Sequence, residues 1–483
     1  MFSKKINPIL NDLIDKVIVQ PVPSMVRVAE MFAIKYLYVI LALLVLKDSW
    51  YVGSGSYEID FVFWKELLAS AVFLGITLVH LKFEPKAYFP KSLLHILYVL
   101  YYIPVNCSFA LNNQSTGFFF LSNLYFLLLI LSVYFFSGFF SGKLDKLRPR
   151  STPEKQSLIN DKGLNWFCAI ICCVFVLYKL CYNGLSFSVS IDSTNVYENR
   201  SEYQSFLDAI SGTSLAYVIS LLKNLIAYVA PFYMLVCLLR RNFIGAGLSL
   251  LTILSSYSMS SGKSTLFFIA IVAGVYLLRR WKLCRHFNRI FDLGILLLSV
   301  LCLGEHLFLH SDRFYTVILR RLMYLPAWIN TMYYDYFMEH GMVWWSQNTF
   351  LLQNLIPDVY DVSPLTIISN VYFQGEVPSP NTGLMAEAIM HAGILGVFLY
   401  PPILGLMVAL SGKVLKQYGP AVQLLIAAKL ALNLTNVPIT RTDFVLSYFA
   451  FIVLLLVIPF LTPLGKWFLS FSKQVRRDLE QEE

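Results

Sequence analysis

SPNTGLMAEAIMHAGILGVF, residues Ser379–Phe398, runs on past His391 to Leu410 without another charge. As one helix from Asn381 to Leu410 it would measure roughly 45 Å at about 1.5 Å per residue, longer than the ~30 Å of hydrocarbon in a bilayer. The stretch therefore reads as a membrane-spanning helix whose first turns stand clear of the lipid. Asn381 or Thr382 offers the N-cap, and Leu384, Met385, Ala388, Ile389 and Ala392 carry the apolar face. Glu387 and His391, four apart, share one face near the outer headgroup level. Gly393 and Gly396 permit close helix packing, and the Pro401–Pro402 pair is expected to bend or break the span.

The rest of the chain repeats this pattern. With 57% hydrophobic residues, 14% charged residues and a mean hydropathy of +0.63 over 483 residues, it holds more apolar surface than a soluble core buries. Apolar runs at 28–47, 61–80, 90–111, 117–141, 164–183, 213–239, 242–259, 264–279, 290–309, 393–412, 420–436 and 443–464 predict an all-α polytopic membrane protein of about twelve spans. Residues 28–309 hold the first nine, 310–392 form a large loop with short helices, and 393–464 hold the last three. Residues 1–27 precede the first span; Ile6, Ile9, Leu10, Leu13, Ile14, Val17 and Ile18 give them an amphipathic pattern, with no cleavable signal core. Residues 465–483 form a cytoplasmic tail that contains KQVRR (Lys473–Arg477).

Lys and Arg collect before the first span, in KLDKLRPRSTPEKQSLINDK (Lys143–Lys162), at Arg240 and Arg241, in RRWKLCRHFNR (Arg279–Arg289) and in the tail. All fall on one side of a twelve-span chain, which makes that side and both termini cytoplasmic. The net charge of +9 is then a topology signal and an attraction to anionic lipids, and it gives no reason to invoke nucleic acid. The eight cysteines sit mostly inside spans, without zinc-ligand spacing or a disulfide framework.

On the opposite side the long connection 310–392 stands out, since about eighty residues between spans is rarely filler. Basic residues there run against the orientation rule: Arg200, Lys263, Arg313, Arg320, Arg321 and Arg441. As a set they suit an anionic ligand, and guanidinium forks suit phosphate oxygens. Arg313 and Arg320, seven apart, would share one face of a continuous α-helix. Lys223 and Lys429 lie deeper in spans and should face a polar cavity or a carboxylate. SGKST (Ser261–Thr265) is not a phosphate-binding loop, because Tyr257 stands where that pattern needs Gly. The histidines make no HExxH-like pair, so no metal site is expected, and His80, His95 and His286 read as interface or inner-surface residues.

YDVSPLTIISNVYFQGEVPSPNTGLMAEAIMHAGILGVFLYPPILG (Tyr360–Gly405), with RRLMYLPAWINTMYYDYF (Arg320–Phe337), VYENR (Val196–Arg200) and SSGKSTL (Ser260–Leu266), resembles the Wzy-type oligosaccharide repeat-unit polymerases of bacteria, which make O-antigen and capsule. The resemblance lies in order and spacing from about Val196 to Gly405. It implies a GT-C-like membrane glycosyltransferase of the bacterial cytoplasmic (inner) membrane, with its active site on the extracytoplasmic, periplasmic side and with neither cofactor nor metal. Its partners would be undecaprenyl-pyrophosphate-linked oligosaccharides and membrane lipids, together with a chain-length regulator and a flippase. An acceptor hydroxyl attacks the anomeric carbon of the donor and lipid pyrophosphate leaves. Arg320 and the other outer-face cations, with Lys223 and Asn381, would bind the substrate and its departing charge. For the proton acceptor the residues leave Glu387, His391, Asp335 and His340 open, as well as no base at all. The aromatic residues of the loop, among them Tyr333, Tyr336 and Trp345, fit a sugar path or an interfacial belt equally well. An O-antigen ligase shares the donor chemistry, and a lipid-linked oligosaccharide flippase shares the span count.

Overall fold

The computed structural model describes residues 18–19, 22–46, 59–143, 161–184, 202–203, 205–206, 209, 213–260, 263–350, 352–375, 380 and 383–458. These residues are all-helical, with no strand among them, and eight of their helices are long and apolar enough to cross a membrane. The chain is a polytopic membrane protein. Each of the twelve apolar runs holds a helix among its described residues; those outside the eight are shorter (Phe243–Met259, Pro420–Leu434, Thr442–Ile458) or carry more charge (Lys263–Arg280). The amphipathic pattern before Ile18 and the tail 465–483 lie outside the described residues.

Two compact units make up the chain. One comprises residues up to Arg148 with Lys282–Gly412 and Leu430–Thr442; the other comprises Pro149–Trp281, Lys413–Lys429 and the chain from Asp443 on.

The first unit is built on α1 (Ser24–Leu46), α2 (Phe63–Lys82), α3 (Tyr88–Ala110), α4 (Thr116–Lys143) and, later in the chain, α9 (Phe287–Leu309). The apolar window of α3 is buried on every side, as befits a helix without a polar face at the centre of a bundle. Rings pack around it: Phe73 stacks on Tyr102 at 6.0 Å, Tyr102 on Phe126 at 4.7 Å and Phe109 on Phe119 at 4.2 Å. A buried cation in the unit finds partners. Lys35 contacts Glu66, and Ser70 lies 2.9 Å from the Lys35 ammonium. Among the described residues of this unit π-helical runs occur at Ala42–Leu46 at the end of α1, at Tyr98–Tyr102 inside α3 and at Tyr315–Tyr324 ahead of α10 (Leu325–His340). The last two end two residues before a proline, Pro104 or Pro326, whose missing N–H cannot close an α turn, so the helix widens there.

The second unit holds α5 (Lys162–Asn183), α6 (Ser214–Leu239), α7 (Phe243–Ser260) and α8 (Lys263–Arg280). Asp161 caps α5 by accepting from Leu164 N at 2.7 Å, and the Ser249 hydroxyl donates to Ala230 O at 2.6 Å, joining α7 to α6. Lys429 lies here, on α13 (Pro420–Leu434), buried between the Phe268 and Tyr228 rings at 3.6 and 4.8 Å. The carboxylate expected for it is replaced by two aromatic faces, which hold a cation through their quadrupoles. Lys223 is half-buried over Tyr203 at 4.6 Å, and its neighbour Asn224 reaches Asp443 at 3.4 Å.

Candidate functional site

The stretch Ser379–Phe398 forms the start of α12 (Met385–Leu415), and its helix is broken. The break falls at Ala392–Gly393 and not at Pro401–Pro402, which stay inside helical backbone. Gly393 has φ 54° and ψ −132°, a conformation open to glycine and closed to side-chain-bearing residues. Beyond it the chain folds back so tightly that a Cβ on Gly396 would stand 2.0 Å from Ala388 O. A break among apolar helices exposes carbonyls that must be satisfied. Val343 N donates to Met390 O at 2.9 Å and Trp344 N to His391 O at 3.0 Å, so the loop after α10 closes the gap. To do so Trp344 and Trp345 both take left-handed φ, 50° and 61°, which costs side-chain-bearing residues about 1–2 kcal/mol each.

The half-helix before the break, Met385–His391, is wholly buried. Its first N–H groups are met from afar: Ala386 N donates to Asn330 Oδ1 at 2.6 Å, and Met385 N lies 3.4 Å from the Tyr101 hydroxyl, which itself donates to Asn330 Oδ1 at 2.9 Å. Asn330 on α10 thus ties the loop to α3 and to the half-helix at once.

Glu387 and His391 do share a face, as their spacing predicts, and both are 0% exposed. Glu387 Oε2 accepts from Ile439 N at 2.7 Å, while Oε1 accepts from Thr440 N at 3.0 Å and from the Thr440 hydroxyl at 2.8 Å. Every bond of this carboxylate goes to the Ile439–Thr440 turn, and none goes to Arg320. The turn leads directly into half-buried Arg441. His391 Nε2 stands 3.5 Å from the same Thr440 hydroxyl, its ring lies parallel to Trp345 at 6.0 Å, and Trp345 Nε1 donates to Tyr400 OH at 3.1 Å. His391 Nδ1 is buried with no hydrogen-bond partner among the described residues. The site therefore consists of a clamped turn carrying an arginine beside an imidazole with one nitrogen unused.

The remaining sequence candidates lie elsewhere. Arg313 and Arg321 are exposed and make no ion pair among the described residues, and Arg320 is half-buried. The π-helix they border takes more residues per turn than an α-helix, so positions seven apart no longer share a face. Glu305 at the end of α9 starts that helix by accepting from Arg313 N at 3.1 Å and Phe314 N at 2.9 Å, and Asp312 pairs with His306 at 2.8 Å. Asp335 is half-buried on α10, and His340 is exposed and stacked on Tyr336 at 4.3 Å. Tyr360 donates to Gly341 O at 2.7 Å; burial first, then the nearby Tyr336, holds its phenol above the ordinary pKa. Arg200 and Asn381 lie outside the described residues, as does the side chain of Lys263.

Trp345, one of the loop aromatics singled out from the sequence, completes the site with three residues that carry no local signal there: Asn330, Tyr400 and Thr440. No protein family, curated protein or solved structure matches this chain in comparison.

Proposed function

We propose that the chain is a Wzy-type polymerase with twelve spans and a GT-C-like fold. It would join undecaprenyl-pyrophosphate-linked repeat units on the outer face of the bacterial cytoplasmic membrane. The observation that carries the reading is the broken start of α12. A buried carboxylate and an imidazole four residues apart meet the turn that bears Arg441, at the end of the long loop where the resemblance lies. In this reading Arg441 and the loop arginines, Arg320 among them, balance the charge of the departing pyrophosphate. His391, with a free ring nitrogen, takes the acceptor hydroxyl proton. Glu387 holds the turn in place and is a positioning residue, because donors fill both of its oxygens. The reaction forms one glycosidic bond, breaks the anomeric bond to pyrophosphate, and releases the lipid pyrophosphate and one proton.

A lipid-linked oligosaccharide transporter is the second reading, since broken helices are common at transporter binding sites. In those the unwound carbonyls face the ligand, whereas here Met390 O and His391 O are taken by Val343 N and Trp344 N. Deleting the gene and running the surface polysaccharide on a gel separates the readings. A polymerase leaves a single capped repeat; loss of all attached glycan would mean a transporter or a ligase.

A further inference from the structure

Away from that site, Asp292 on α9, His95 on α3 and His80 on α2 form one buried line, each 1% exposed or less. His95 Nε2 lies 2.7 Å from Asp292 Oδ1, and His95 Nδ1 lies 3.3 Å from His80 Nε2. His80 stacks on Tyr98 with ring centroids 4.5 Å apart, and its Nδ1 is buried with no partner among the described residues.

The donors follow from the network. A carboxylate only accepts, so His95 carries its hydrogen on Nε2 and its Nδ1 is an acceptor. That acceptor takes the Nε2–H of His80, which leaves His80 Nδ1 a bare lone pair at the end of the line. Surrounding charges come from every packed element: Arg27 and Glu30 on α1, Glu84 after α2, Lys91 on α3 and Arg289 on α9. The cations are already engaged, Arg27 with Glu84 at 3.7 Å, Lys91 with Glu84 at 2.9 Å and Arg289 with Glu30 at 3.8 Å. The Tyr98 hydroxyl is shared with Thr77 at 2.5 Å, and Tyr88 donates to Cys284 O at 2.5 Å. Asp292 is thus a buried carboxylate whose one bond goes to an imidazole, and a purely structural link would not need the bare acceptor at the far end.

We propose that Asp292, His95 and His80 are a binding site for one proton, exchanged with water at the basic end of the bundle. The proton enters at His80 Nδ1, His80 passes its Nε2 hydrogen to His95 Nδ1, and the positive charge rests on His95 beside Asp292. The bundle end is marked by the half-exposed Arg27 and Lys91, and by charge bias it is the cytoplasmic end. α3 continues from His95 to Tyr101, which seats Asn330 and the half-helix of α12. The charge therefore forms on the helix that supports the candidate site.

Nitrogen-15 NMR of the full chain labelled with [15N]histidine, in micelles, tests this. At neutral pH both rings should carry hydrogen on Nε2. On acidification both should shift at one common midpoint, with His80 changing tautomer. Asp292→Asn removes the negative charge beside His95 and should move the common midpoint of both rings to lower pH, His80 included although it does not touch position 292. His80→Phe keeps a ring on Tyr98 and should abolish the titration at His95 while leaving its hydrogen on Nε2. Independent midpoints, no titration before unfolding, or a common midpoint indifferent to Asp292→Asn would overturn the proposal. Should Asp292→Asn fail to fold, the wild-type titration and His80→Phe decide the matter alone.

Discussion

Glu387→Gln is the sharpest perturbation of the candidate site, because it keeps shape and removes only the ability to accept on both sides. The carboxylate receives three donors, Ile439 N, Thr440 N and the Thr440 hydroxyl, at 2.7, 3.0 and 2.8 Å. A carboxamide has one accepting end. Turned either way, its NH2 faces a backbone N–H, and that buried group is left without a partner at a cost of about 1–3 kcal/mol. The bonds that survive fall from charge-assisted to neutral strength, a loss of about 1 kcal/mol between them or somewhat more. We expect Glu387→Gln to destabilise the folded state by about 3 kcal/mol and Glu387→Ala, which strands all three donors, by about 5 kcal/mol. Thr440→Val alone should cost about 1–2 kcal/mol, and much less once Glu387 is Gln, since the two act on one bond set. Unfolding by SDS titration in mixed micelles reads these differences. A Glu387→Gln protein within about 0.5 kcal/mol of wild type, or a Thr440→Val cost unchanged by it, would refute the clamp.

Other expectations follow from the same geometry. Gly393→Ala should cost about 1–3 kcal/mol through backbone strain; trimming Met342, whose side chain would meet the new Cβ at 2.3 Å, should not restore it. Asn330→Leu leaves Ala386 N and the Tyr101 hydroxyl without their acceptor and should cost about 2–4 kcal/mol, against about 1 kcal/mol for Tyr101→Phe; the same SDS titration ranks them. In the polymerase reading Arg320→Lys and Arg313→Lys should shorten surface polymer nearly as much as the Ala variants do, because an ammonium cannot copy a guanidinium fork. Full-length polymer in both Lys variants would leave charge alone as the requirement. Cysteines placed at 310–380 should react with an impermeant label on intact cells, while those at 143–163 should not; the opposite pattern would invert the orientation.

The helices were legible because apolar length is a strong signal, and every apolar run holds one among its described residues. Where a helix bends was not. The Pro401–Pro402 pair looked like the breaker, but a proline in an apolar helix is tolerated when neighbours satisfy the freed carbonyl. The actual break needed Gly393 and the donors of Val343 and Trp344, about fifty residues upstream. The pairing of Glu387 with His391 could be read from a four-residue spacing. What the pair touches could not, since the Ile439–Thr440 turn lies about fifty residues downstream and contributes two backbone N–H groups and one hydroxyl. His80 and His95 read as interface residues for the same reason: they meet each other across two helices, and the carboxylate that completes their line, Asp292, lies almost two hundred residues away, so no local pattern encodes it. Lys429 reads from the sequence as a cation in need of a polar cavity or a carboxylate; its aromatic partners are ordinary core residues in the sequence, so nothing distinguished them.

The central claim is tested most directly by reconstituting the purified chain in lipid with a single species, the undecaprenyl-pyrophosphate-linked repeat unit, in excess chelator. The polymerase account predicts a ladder of products, each longer by one repeat, with release of undecaprenyl pyrophosphate, and no ladder from His391→Gln protein that inserts and folds normally. Repeat units that stay single while the chain moves them across the bilayer, or a ladder that appears only when a divalent cation is returned, would contradict it.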